Sequence, residues 1–99
     1  MDRKRLAKIR EEIKKARQGI ANVRASHLAS IAKSLGREEV KTGKHPTYSR
    51  LGSSWFPLSI PNHSGGTLKI GTARSIIAQL EADADNWEEE LDAHEGEGD

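Results

Sequence analysis

Glu38-Glu39-Val40-Lys41-Thr42-Gly43-Lys44-His45-Pro46-Thr47-Tyr48-Ser49-Arg50 reads as two short strands joined by a glycine turn. Glycine supplies the backbone freedom that a tight hairpin demands. The turn presents Lys44 and His45 on one corner. A cation there suits phosphate, and a group that titrates near neutral pH suits acid–base chemistry. A histidine in a turn is also often a solvated side chain, so its neighbours decide its weight.

Working outward, a third strand is expected near Trp55–Ile60, where Phe56, Leu58 and Ile60 alternate. That period marks a half-buried sheet. Pro46 and Pro57 lack ladder donors and need edge or strand-end positions. A three-residue hairpin loop puts His45 on one face with Thr47 and Ser49. Lys41 and Glu39 then join it, and Tyr48 and Arg50 take the other side. Val40, Phe56 and Leu58 are expected to point inward toward the helices. The polar face with Lys41, Lys44 and His45 would form an RNA surface. A two-residue loop would swap the faces.

Helices flank this sheet. Leu6, Ile9, Ile13, Ala16 and Ile20 recur at spacings of 3 and 4, and Val23 continues the series. They predict an amphipathic basic helix over residues 2–22. Its stripe suits packing on the domain or self-association through residues 6–23. A second helix is expected over Ser26–Leu35, with Ser26 as N-cap and Gly36 as stop. His27 reads as a helix-start residue. Pro61–Gly66 is a loop, after which Leu68 and Ile70 re-enter the core. Gly71-Thr72 opens the last helix, with Thr72 as N-cap. Ile76, Ile77, Leu80, Ala84, Trp87 and Leu91 share one face of it. Its end, Glu95–Asp99, has a disordered composition.

Ninety-nine residues support one modest core. Four aromatics and a charged fraction of 31% suggest that part of the chain lies outside the packed unit. There is no cysteine, which excludes disulfides and thiolate metal sites. No apolar run approaches a membrane span and no signal peptide is read, so a soluble cytoplasmic protein is expected. The net charge of +1 hides an asymmetry. Residues 1–80 carry all 16 Lys and Arg against five acids, and residues 81–99 carry ten acids and no base. The basic part attracts polyanions. The acidic end either keeps a basic protein in solution or folds back over the basic face and competes with nucleic acid.

The run Ser26–Leu35, Gly36, then Val40-Lys41-Thr42-Gly43-Lys44-His45 resembles the front of a HicA-type toxin. In that family a helix leads into a hairpin with a Gly-Ser-His signature. The later run from Leu58 to Ile77 is similar to the rest of the family, with its strand, proline, His-Ser-Gly loop and Gly-Thr helix start. The resemblance covers about residues 24–80. It implies an α+β domain of the double-stranded-RNA-binding type: a three-stranded antiparallel sheet with two helices on one face, here with an extra N-terminal helix. The expected division is a basic helix (1–23), a HicA-like domain (24–85), and an acidic helix end with a tail (86–99).

The resemblance also implies an mRNA interferase neutralised by a HicB-like antitoxin protein. The family's essential histidine falls on His45 and its hairpin glycine on Gly43. Metal-free RNA cleavage needs a base for the 2′-hydroxyl and an acid for the leaving 5′-oxygen. Cations stabilise the charge that develops on the phosphate. Lys44, then Lys41 and Arg50, are the candidates, and Lys69 extends the RNA-binding set. No cofactor and no metal are expected. Lys44 stands where the family usually has Ser, and Pro46 where a second His is common. His63 is either a second acid–base group or part of a structural connector. Ser53 and Ser54 have no activating neighbour in sequence, and Gly65-Gly66 lacks the lysine spacing of a nucleotide-binding loop. A non-catalytic RNA-binding module of the same fold is the alternative function.

Overall fold

The computed structural model describes residues 1–40, 46–50, 55–61 and 66–97. The first helix, α1, covers Arg3–Gln18 and is followed by a 3-10 turn at Ile20–Asn22. Asp2 caps α1 by accepting a hydrogen bond from the Arg5 amide at 2.7 Å. Helix α2 covers Ala25–Ser34, strand β1 Glu38–Val40, strand β2 Thr47–Ser49, strand β3 Leu58–Ser59, and helix α3 Ile70–Glu97. The sheet order is β1-β2-β3, antiparallel throughout. This is the expected α+β layout with an added N-terminal helix.

Several local features follow the sequence. Gly36 ends α2 with φ at +96°, a conformation that side chains resist. Pro46 and Pro57 each stand immediately before a strand, where no ladder donor is needed. The Pro46 carbonyl instead accepts from the Ile60 amide at 3.1 Å. Leu68 donates its amide to the Val23 carbonyl at 2.8 Å, tying the entry of α3 to the entry of α2.

Other features correct it. Arg24, not Ser26, occupies the N-cap of α2, and its side chain makes no capping bond. Helix α3 begins at Ile70, so Thr72 lies inside it and Ile70 is exposed. The helix also runs on to Glu97, past the Glu95 where composition places its end.

The face assignment changes too. Val40 pairs with Thr47 and Glu39 with Tyr48. The six residues between Val40 and Thr47 are an even number, whereas a three-residue loop presumes an odd one. Glu39 therefore shares the helix-packed face with Tyr48 and Leu58, and Val40 turns outward with Thr47. Phe56 is 81% exposed, because β3 is only two residues long and its alternation does not reach back that far.

The core is continuous from α1 to the sheet. Leu6, Ile9, Ile13 and Ala16 of α1 are buried, as are Leu28, Ile31 and Leu35 of α2 and Ile76, Ile77, Leu80 and Ala84 of α3. Helices α1 and α3 run antiparallel along each other. Arg3 pairs with Asp92, Arg10 with Asp85 and Glu88, and Arg17 with Glu81. The descending partner numbers fix the direction. The apolar stripe of residues 6–23 is thus packed on the domain, the first of its two expected uses, and is not left open for self-association. The acidic end likewise belongs to a helix aligned with α1.

Candidate functional site

Arg37 ties β2 to the approach to β3 and to α3. Its side chain is fully buried. Nε and Nη2 donate to the two carboxylate oxygens of Asp83 on α3, at 2.6 and 3.0 Å. Nη1 donates to the carbonyls of Tyr48 and Phe56, each at 2.8 Å. Gln79 adds a bond to Asp83 Oδ1 at 3.0 Å. One guanidinium therefore joins β2, the approach to β3 and α3. A buried charge needs this degree of pairing.

Tyr48, at the centre of β2, is 5% exposed. Its hydroxyl donates to Glu39 Oε1 at 3.2 Å across the β1–β2 pair. Burial pushes the phenol pKa above its ordinary value of 10.0, and the bond to Glu39 adds to that. The hydroxyl is thus held neutral over the physiological range.

Arg50 follows β2 and is half-buried. Its guanidinium makes a two-pronged contact with Glu90 at 2.8 and 3.2 Å. It also stacks on Trp55 at 4.8 Å and Trp87 at 4.1 Å from the ring centroids. The two indoles meet edge to face, 6.4 Å apart, and Trp87 Nε1 donates to the Leu35 carbonyl at 2.6 Å. The bond from Arg50 holds the Glu90 carboxyl below its usual range. An arginine read from sequence as a phosphate contact is therefore already engaged by a carboxylate.

A groove of about 300 Å³ runs between α2 and the sheet. Ala25, Ala29, Tyr48 and Ile60 form its buried and half-buried floor. Ser26, Ser30 and Lys33 stand exposed along its rim. Sequence reasoning missed this feature, although the spacing of four and three between the rim residues was a usable signal for one helix face.

Lys69 is exposed immediately before α3. Of the other candidate residues, Lys41, Gly43, Lys44 and His45 lie outside the described residues, as does His63. Strand β2 begins two positions after His45, so the pairing of Val40 with Thr47 brackets that segment from both sides. Among the described residues no group of acids and histidines is arranged to hold a metal ion, and no helix is long and apolar enough to cross a membrane.

A family model described as the HicA toxin of bacterial toxin-antitoxin matches residues 25–82. That is more than half of the chain. The chain belongs to the HicA toxin family. The matched segment opens at the first residue of α2 and closes within α3, so it takes in the whole sheet, the groove and the Arg37–Asp83 interaction except Asp83 itself. It leaves out α1 and the acidic half of α3, the two pieces that pair with each other in this HicA-family protein. No curated protein and no solved structure matches the chain.

Proposed function

We propose that this HicA-family toxin is an endoribonuclease that cleaves mRNA in the cytoplasm by acid–base catalysis at His45, and that a HicB-like antitoxin protein neutralises it. The observation that carries the reading is the family match across residues 25–82, which includes Gly43-Lys44-His45. The reading is supported by the β1–β2 pairing that brackets this segment and by the bond from Arg37 to the Tyr48 carbonyl on β2.

In this reading the neutral His45 imidazole takes the proton of a ribose 2′-hydroxyl. The 2′-oxygen attacks the adjacent phosphorus and the bond to the 5′-oxygen breaks. That oxygen takes a proton from water, and the imidazolium neutralises the hydroxide left behind. The products are a 2′,3′-cyclic phosphate and a 5′-hydroxyl. One such acid–base group contributes on the order of 10²–10⁴-fold. Lys44, with Lys41, supplies positive charge at the phosphate. Lys69 contributes to holding the RNA. Arg50 acts indirectly, since its charge is already met by Glu90.

The test is incubation of purified protein with mRNA in the presence of a chelator. Cleavage that ends in cyclic phosphate, lost in His45→Ala, is the expected outcome. Intact RNA that is nevertheless bound would favour the non-catalytic module, a reading supported by Lys44 and Pro46 standing where the family usually has Ser and His.

A further inference from the structure

We propose that the groove between α2 and β2 seats a nucleotide of a single-stranded RNA, with its base on the apolar floor and its sugar–phosphate on the Ser26–Ser30–Lys33 rim. This rests on the RNA reading above and adds a binding site to it. The groove has the make-up of a ligand site: a buried apolar floor and a few polar groups along one side. At about 300 Å³ it lies at the small end of such sites. That is too small for a helix or a folded partner and suited to one planar base.

Electrostatics select RNA over an apolar peptide. The sequence from Arg24 to Arg37 contains no acid, and Arg24, His27 and Lys33 on it are exposed. Six acids of α3 are directed elsewhere: Glu81, Asp85, Glu88 and Asp92 pair with α1, Asp83 with Arg37, and Glu90 with Arg50. None of these six is drawn to α2, whose exposed Arg24 and Lys33 have no acid on their own helix. Glu39 is the carboxylate bonded to the floor, and it accepts from the Tyr48 hydroxyl.

Single strands suit the shape. Proteins read unpaired bases by laying them on apolar and aromatic surfaces while cations track the backbone. Tyr48 supplies the aromatic and Lys33 the cation. Tyr48 of the floor stands three positions after His45 in the chain.

The experiment measures binding of a short fluorescent single-stranded RNA to the His45→Ala protein, which leaves the probe uncut. Ser30→Leu, which fills the groove, and Lys33→Ala, which removes its cation, are each added. Both are expected to weaken binding roughly tenfold. Lys8→Ala on α1 removes the same charge elsewhere and should change binding by less than about twofold. Thermal melting checks that each variant is folded.

The proposal is overturned if Ser30→Leu and Lys33→Ala bind RNA like the parent, if Lys8→Ala weakens binding as much as Lys33→Ala, or if the parent binds no RNA. Loss of antitoxin binding with RNA binding intact would also overturn it, in favour of a protein occupant. Failure of the two readings is distinguishable. A wild-type chain that binds RNA through the groove without cutting it removes the catalysis alone. A chain that cuts RNA with an unchanged KM in Ser30→Leu removes the groove alone.

Discussion

Arg37 and Asp83, 46 positions apart, meet as a fully buried two-pronged ion pair. The remaining Arg37 donor is shared between the Tyr48 and Phe56 carbonyls. The pair therefore closes the connection from β2 to β3 and docks it on α3. Among the described residues no buried side-chain polar atom lacks a partner.

Removing one member leaves the other charge buried and unmet. Asp83→Ala should cost about 3–5 kcal/mol in denaturant unfolding. Arg37→Met/Asp83→Leu should recover part of that loss but not all, because the Tyr48 and Phe56 carbonyls still lose their donor. A double variant fully as stable as the wild type would contradict this account of Arg37.

Tyr48 is the single tyrosine of the chain, so its ionisation can be followed by absorbance without interference. The phenol should titrate above 10.0 in the folded protein. Because the folded value is raised, its contribution to stability is full below the unfolded pKa and is lost as pH rises through the folded one. In Glu39→Ala the midpoint should fall but stay raised, since burial is the larger cause.

Glu90 gives the opposite limb. Its folded pKa is depressed, first by the bond from Arg50. Its contribution is present above the unfolded value and disappears as pH falls through the folded one. Half of the Glu90 side chain is exposed, so solvent screening keeps the contribution below about 1 kcal/mol. Glu90→Gln should be slightly less stable than wild type at neutral pH, and the two should converge in acid. High salt should narrow the neutral-pH gap.

Helix α1 is part of the core. Ile13 is 3% exposed against α3. Ile13→Ala should lose about 2–5 kcal/mol. A chain beginning at residue 24 should lose its cooperative thermal transition, because the apolar face of α3 would lie open. A sharp, undiminished melt of that shortened chain would show α1 to be a detachable arm.

Much of the fold was legible because it rests on local signals. The Leu6–Ala16 stripe, the stop at Gly36 and the Ile76–Ala84 face all declared themselves through spacing or backbone need. Phe56 misled because alternation is informative only over several strand residues, and β3 has two. Val40 and Glu39 were assigned to the wrong faces by a single residue of loop length. The partnerships of Arg37 with Asp83 and of Arg50 with Glu90 cross 46 and 40 positions, and no local pattern announces such pairs. The same holds for the acidic end. Its charge was plain in the sequence, but only the antiparallel packing of α1 and α3 shows which arginines it meets.

The central claim is that His45 does the chemistry, and single-turnover cleavage of an mRNA by wild type and His45→Ala tests it most directly. The account predicts a loss of at least about 10²-fold in rate with RNA affinity little changed. Cleavage by His45→Ala at the wild-type rate would contradict it.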